Sequence, residues 1–282
     1  MKGLVLEGGA MRGIFSCGVM DVLMENGIKF DAAAGISAGA VFGCNYKSKQ
    51  IGRAVRYNKK YGKDKRYCSI KSLLTTGDLY GAEFCYNTLP NELDIFDRVT
   101  FSQNPMRFYI GATNVETGKI EYHKCTNGGK EDLLWMRASA SMPVVSKPVE
   151  INGKKYLDGG ISDPIPYRIM EQLGYDRMVV ILTQPKDYKK KKSAALPLMQ
   201  LFLGKYPKTV HAMKRRHLIY NAQTEEIKRL EKEGKILVIR PEKPLGIKRT
   251  EGDPVKLEKV YQLGRTAGTK QLKRIKKFLK KQ

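Results

Sequence analysis

Three short segments carry residues that could do chemistry together. Gly35-Ile36-Ser37-Ala38-Gly39 sets a serine between small residues where an apolar run, FDAAAGI, ends and a helical pattern begins. A hydroxyl held on a sharp strand-to-helix turn can act as a nucleophile, and small neighbours let other backbone approach it. By itself the same pattern also fits a tightly packed turn. Gly8-Gly9-Ala10-Met11-Arg12-Gly13 is a second turn between an apolar run and a helix start. Unpaired N–H groups there, reinforced by the helix dipole, suit an oxyanion or another anion. A dinucleotide site fits less well: its second glycine falls on Ala10, and Asp31 lies at the start of the following strand instead of near its end. The third segment, Asp158-Gly159-Gly160, offers a carboxylate just after a short strand, although Asp-Gly is also an ordinary turn dipeptide.

In this order the segments GGAMRG, GISAG and DGG resemble the patatin-like phospholipase family, whose marks are G-G-G-x-R-G, G-x-S-x-G and D-G-G or D-G-A. The likeness runs over roughly residues 3 to 185 and includes Ala138-Ser139-Ala140-Ser141-Met142-Pro143 and Asp163-Pro164-Ile165-Pro166. The departure is Ala10 in place of the third glycine, which still supplies an N–H provided its φ is negative. The resemblance implies a Ser-Asp dyad, with Ser37 as nucleophile, Asp158 as base and an acyl-enzyme intermediate. It also implies an oxyanion site from the N–H groups of Gly9 and Ala10 with Ala38, in a loop completed by Gly8, Met11, Arg12 and Gly13. Gly35, Gly39, Gly159 and Gly160 are the motif glycines; no metal or cofactor is expected. The implied substrates are phospholipids, lysophospholipids or simpler fatty-acyl esters. Because a free Asp titrates near ~3.9, a base role requires a partly dehydrated carboxyl with a raised pKa.

Other readings compete. His211 and His217 follow Asp158, matching the Ser, Asp, His order of a conventional esterase triad, but HAMKRRH reads as the solvated basic face of a helix. His123, on a strand before the Asp, reads as structural. Asp163 before Pro164 reads as a helix start, and Glu7 is expected to pair with Arg12. A non-enzymatic protein that keeps the fold and binds an acyl ligand or partner is the rival function.

The positioning elements follow from periodicity. Residues 2–7 read as a strand, 13–25 as a helix, 30–36 as a buried strand and the stretch after Ser37 as a helix, a β-α-β-α start with parallel strands. The stretch 45–104 reads as helical with loops. Strands follow on either side of Glu116-Thr117-Gly118, then a helix at 131–141, the strand KKYLD, a helix at 164–173 and the strand RMVVIL. Beyond the basic loop at 186–192, helices at 197–233 and 254–280 flank the strand KILVIRP. The expected architecture is α/β, a three-layer α/β/α sandwich with a mostly parallel central sheet. Residues 1–185 form the catalytic domain, and 186–282 a basic, mainly helical C-terminal lobe packed on it.

Composition bounds partners and place. At 282 residues and 41% hydrophobic, the chain can bury a large core. The balance of 52 Lys and Arg against 28 Asp and Glu, net +24, attracts anionic lipid surfaces, nucleic acids or acidic substrates. No nucleic-acid partner is expected, since no helix-turn-helix, zinc or RNA-binding pattern appears. The five cysteines lack any C-x-x-C pair and read as reduced thiols of a cytoplasmic protein. Glu7 and Arg12 interrupt the apolar run a signal peptide needs, and no segment reaches the ~18 apolar residues of a spanning helix, so membrane contact would be peripheral, at the inner surface. KQLKRIKKFLKK places Leu272, Ile275, Phe278 and Leu279 on one face, which suits docking on the core or, alternatively, on an anionic bilayer.

Overall fold

The computed structural model describes residues 1–280. β1 (Lys2–Leu6) passes through one tight turn at Ala10–Arg12 into α1 (Gly13–Glu25), and β2 (Ala32–Ile36) passes through Ser37 into α2 (Ala38–Lys47). The weakly patterned stretch that follows holds α3 (Arg53–Tyr61), α4 (Ile70–Thr76), a wide helical segment over Phe84–Leu93 with Pro90 inside it, and α5 (Arg98–Gln103). Next come β3 (Arg107–Asn114), β4 (Ile120–Cys125), α6 (Lys130–Ala140), β5 (Val149–Ile151), β6 (Lys154–Asp158), α7 (Tyr167–Gln172) and β7 (Arg177–Ile181). The chain ends in α8 (Leu196–Phe202), α9 (Pro207–Lys232), β8 (Ile236–Ile239) and α10 (Pro254–Lys280).

The strands form one sheet in the order β5-β6-β3-β2-β1-β7-β8, with β4 alongside β3. β3, β2, β1, β7 and β8 are mutually parallel, and β4, β5 and β6 make the antiparallel end. The central strands are buried on both faces, so they read as continuous apolar runs, LVL and AAAGI, and not as alternations. Leu4, Leu6, Ala33, Val179 and Ile181 face a core closed by α1, α2 and α10, whereas Val5, Ala34, Met178 and Val180 face one closed by α7 and α9. This is the expected three-layer sandwich.

The C-terminal helical region is present and completes both layers. β8 extends the sheet in parallel beside β7, α9 covers one face, and α10 runs along α1 on the other. The last contact is close: a Cβ built on Gly264 would lie 2.0 Å from the Phe15 carbonyl oxygen, so only glycine permits this spacing. Leu257, Val260, Tyr261, Ile275 and Leu279 of α10 are buried in the core on that face, with Leu272 and Phe278 partly buried against it, so the apolar face of the basic terminal run rests on the core. Among the described residues no helix is long and apolar enough to cross a membrane.

Several boundaries differ from those expected. The helix anticipated over 197–233 is two helices, because the segment at Gly204 and Pro207 interrupts the hydrogen-bond ladder between α8 and α9. The helix anticipated from Pro164 starts only at Tyr167, and Asp163 is no N-cap: its buried carboxylate accepts hydrogen bonds from Tyr122 Oη (2.5 Å) and Gln223 Nε2 (2.5 Å). β5 was not anticipated, although Asn152 and Gly153, with φ of 50° and 74°, form the left-handed turn that Asn-Gly commonly marks between paired strands.

Candidate active site

The sheet register brings the serine and the aspartate together. β4 pairs with β3 from Phe108 to Thr113 along one edge, so β2 and β6 share the other. β2 runs parallel to β3 and ends with Ile36 opposite Gly111; β6 runs antiparallel and ends with Asp158 opposite Ala112. The two strands therefore approach the same point from opposite directions and meet end to end. Ser37, one residue past β2, donates from Oγ to Asp158 Oδ2 over 2.7 Å.

Ser37 sits on a strained elbow with φ 54° and ψ −119°, a conformation L-residues avoid at a cost of about 1–3 kcal/mol. Its flanking glycines are required by contact: a Cβ on Gly35 would lie 2.2 Å from the Gly39 oxygen, and one on Gly39 2.4 Å from the Leu6 oxygen. Fully buried Ser139 holds the elbow, accepting from Ser37 N–H (2.9 Å) and donating to the Gly111 carbonyl (2.6 Å). Sequence reasoning noticed the small-residue segment that contains Ser139 but assigned it no role.

Asp158 is braced on every side. Its N–H donates to the Ser141 carbonyl (2.8 Å), its carbonyl accepts from Thr113 Oγ1 (2.9 Å), and Oδ1 accepts from Gly160 N–H (2.7 Å). The Arg216 guanidinium, reaching over from α9, donates to the Gly160 carbonyl and so fixes the Asp-Gly-Gly turn. Burial raises the Asp158 pKa above its ordinary value, with nearby Arg216 the largest opposing influence. That is the direction a carboxylate base needs.

The glycine-rich loop lies against the elbow: a Cβ on Gly8 would be 3.1 Å from the Ser37 Cβ. Its donors divide into two sets. Gly8 N–H bonds to Pro164 O, Met11 N–H to Arg249 O and Arg12 N–H to Gly9 O, and the Gly13 amide is spent on the turn. Among the described residues the N–H groups of Gly9, Ala10 and Ala38 have no partner. The condition of a negative φ at Ala10 is not met: the residue stands at φ 48°, where the family's glycine would be unstrained, but the positive φ strains the backbone without removing the N–H, which stays unpartnered. Nor does Glu7 pair with Arg12. The Glu7 carboxylate accepts from Tyr220 Oη (2.7 Å) and from Thr183 N–H, and Arg12 Nε is buried without a partner.

Beside Ser37 opens a pocket of about 820 Å³, counting its mouth. Ala10, Met11 and Ala38 line it near the serine, and Val41, Phe42, Tyr57, Tyr67, Tyr86 and Leu89 make much of its wall. These residues come largely from the stretch that the sequence left as helix and loop. One charged pair interrupts the apolar lining, Arg137 Nη2 to Asp78 Oδ2 at 2.9 Å.

The Ser-Asp-His alternative is not assembled. Both Asp158 oxygens are occupied, by Ser37 Oγ and Gly160 N–H, and among the described residues no histidine bonds to either member of the pair. His211 is exposed on α9, and of that helix it is Arg216, not His217, that reaches the Asp-Gly-Gly turn. His123 bonds to Asp132 (2.7 Å) and stacks on Trp135. His123, Cys125 and Asp132 hold their donor atoms within 4.8 Å of one another, a grouping a metal could use. The Asp132 oxygens there are already engaged, one by His123 and the other by the N–H groups of Thr126, Asn127 and Gly128.

The uncharacterised protein YjjU of Escherichia coli is 31% identical over 194 residues, covering 65% of this chain and 52% of that protein. A lysophospholipase, nte1, of Aspergillus niger is 27% identical over 296 residues, covering 98% of this chain but 18% of that protein. The chain thus spans about half the length of the first relative and a small part of the second. The crystal structure of VipD from Legionella pneumophila aligns with a TM-score of 0.48 at 14% identity, over 97% of this chain and 67% of that one. A domain of unknown function (DUF6363) matches residues 206–280. The Patatin-like phospholipase family model matches residues 4–170, spanning the glycine-rich loop, the serine elbow and the Asp-Gly-Gly turn, and the chain belongs to that family.

Proposed function

We propose that this protein is a serine acyl hydrolase that cleaves carboxylic esters of lipids by a Ser37-Asp158 dyad. The observation that carries the reading is the direct 2.7 Å hydrogen bond from Ser37 Oγ to a buried carboxylate with a raised pKa, at the mouth of an apolar pocket. Ser37 Oγ attacks the ester carbonyl as its proton passes to Asp158 Oδ2. The tetrahedral oxyanion is held by the free N–H groups of Gly9, Ala10 and Ala38, each such donor contributing about 3–4 kcal/mol to the transition state. Collapse breaks the bond to the alcohol, which takes the proton from Asp158 and departs. Water then attacks the acyl-enzyme, gives a proton to Asp158 and releases the fatty acid, and the proton returns to Ser37.

The lysophospholipase relative supports a lipid substrate, and the pocket's apolar wall suits an acyl chain. The five free thiols suit a reducing, cytoplasmic setting. A non-enzymatic role would not require the nucleophile, base and free donors to converge. The test is labelling with a fluorophosphonate alongside hydrolysis of a p-nitrophenyl ester series. Wild-type protein should be labelled and active, and Ser37→Ala should lose the label and about a thousandfold or more of the rate. Labelling undiminished in Ser37→Ala would remove Ser37 from the chemistry.

A further inference from the structure

Four cations gather where the C-terminal region meets the Asp-Gly-Gly turn. Arg216, on α9, is bonded through Nε to the Gly160 carbonyl. Arg249 lies in the loop whose carbonyl accepts the Met11 N–H, beside the free donors of the glycine-rich loop. Lys190 belongs to the basic loop after β7; its N–H donates to Asn221 Oδ1, its carbonyl accepts from Asn221 Nδ2, and its ammonium stands 4.5 Å over the Tyr220 ring. Arg12, in the glycine-rich loop itself, keeps a buried Nε with no partner.

These charges feel one another. Burial and then Arg216 push the Lys190 pKa down to about 8, with Arg12 and Arg249 adding to the effect. Arg216 is likewise lowered, first by burial, and by Arg249 and Arg12 against the pull of Asp158. The carboxylates within the cluster's reach are Glu7 and Asp158, and both are engaged elsewhere, Glu7 with Tyr220 and Thr183, Asp158 with Ser37 and Gly160. Among the described residues none of the four cations forms a salt bridge. Mutual repulsion among these cations, of which Arg12, Lys190 and Arg216 are partly buried and Arg249 is exposed, is unfavourable unless an anion joins them.

The position says which part of a substrate this anion belongs to. The apolar pocket lies on the face of the sheet covered by α1 and α2, and none of the four cations lines it. Lys190 and Arg216 belong with α9, on the opposite face. An ester held at Ser37 sends its acyl chain and its alcohol away from the carbonyl in different directions. With the acyl chain in the pocket, the side left for the alcohol includes the Asp-Gly-Gly turn and the Arg216 bonded to it.

We infer that Lys190, Arg216 and Arg249, together with Arg12, form a binding site for a phosphate on the alcohol side of the ester, so that this cluster selects phosphate-bearing over uncharged acyl esters. This rests on the hydrolase reading above and names its substrate class. Guanidinium groups are suited to it, since their planar donors match phosphate oxygens in pairs.

The test compares a lysophospholipid with a monoacylglycerol of the same acyl chain. Wild-type kcat/KM should favour the lysophospholipid, and Arg249→Gln and Lys190→Gln should each shrink that preference by about tenfold, the loss of one charge-assisted phosphate contact. Arg249 is exposed, so its variant should fold even if Arg216→Gln does not. Lys277→Gln, which removes an exposed charge near the end of α10, should leave the ratio as it was. A preference unmoved in both cluster variants, with Ser37-dependent hydrolysis intact, would overturn the site and leave the hydrolase standing. If wild-type protein hydrolyses neither substrate and also lacks the fluorophosphonate label and p-nitrophenyl esterase activity, the hydrolase reading fails and calorimetry decides the site alone. Ser37→Ala should bind glycerol 3-phosphate more tightly than inorganic phosphate, and Arg249→Gln should weaken it; absent binding, or equal binding of the two anions, would overturn the head-group assignment.

Discussion

On one side of Ser37 the protein is an aromatic and aliphatic pocket, with Val41, Phe42, Tyr57 and Tyr86 in its wall; on the other it is a gathering of Arg12, Lys190, Arg216 and Arg249. The two sides come from different parts of the chain. The pocket lies within the segment matched by the patatin-like family, whereas Arg216 and Arg249 lie within the domain of unknown function. The serine elbow and the apolar pocket thus belong to the segment shared with the family, and the charges around Asp158 are supplied largely from outside it. Arg216 makes the connection physical, since it both steadies the Asp-Gly-Gly turn and opposes the burial-driven rise of the Asp158 pKa.

The sharpest way to break the comparison is at the carboxylate both sides share. Asp158→Asn should lower kcat by about a thousandfold or more, because no base remains to take the Ser37 proton. Its stability should move the other way. The Asp158 pKa is raised on folding, so its favourable contribution is complete below its unfolded pKa and is lost as pH rises through the folded value. Asp158→Asn should therefore melt higher than wild type near neutrality, with the gap closing as pH falls. A variant less stable than wild type at every pH would mean that the attraction of Arg216 and Arg249 outweighs the cost of burial.

A smaller effect separates the two sides. Val41→Trp should fill the pocket and shift the ester chain-length profile toward short acyl groups by roughly tenfold, as expected for lost apolar contacts. The lysophospholipid preference should not follow that shift. A profile unchanged in Val41→Trp would place the acyl chain elsewhere. The smallest expected change is at the loop both sides touch: Ala10→Gly should relieve the left-handed strain at φ 48° and raise stability by up to about 1 kcal/mol, measured by urea denaturation. A loss of stability there would show that the alanine methyl makes a contact worth more than the strain.

The candidate site residues were easier to read than their setting. Ser37, Asp158 and their glycines stand out because a strained elbow and close backbone contacts admit few residue types, as the Gly35 and Gly39 contacts show. The parallel strands were legible for a related reason, since burial on both faces leaves apolar runs such as LVL and RMVVI. The pocket was not, because its wall comes from α2, α3 and the wide helical segment around Pro90, whose aromatic residues alternate with basic ones and carry no clean period. Asp163 was misread for the opposite reason: Asp-Pro is a strong local sign of a helix start, and the partners that override it, Tyr122 and Gln223, are remote in sequence.

Local composition alone singled out Ser37, Asp158 and the glycine-rich loop as candidates, because a nucleophile, a base and an oxyanion site demand particular side chains and turns. Only the folded chain decided that they meet. β2 and β6 must end against each other on one edge of β3 before Ser37 and Asp158 can touch, and α9 must lie across the sheet before Arg216 can reach Gly160. Both are consequences of strand register and long-range packing, which bring together residues that nothing in the linear order marks as neighbours.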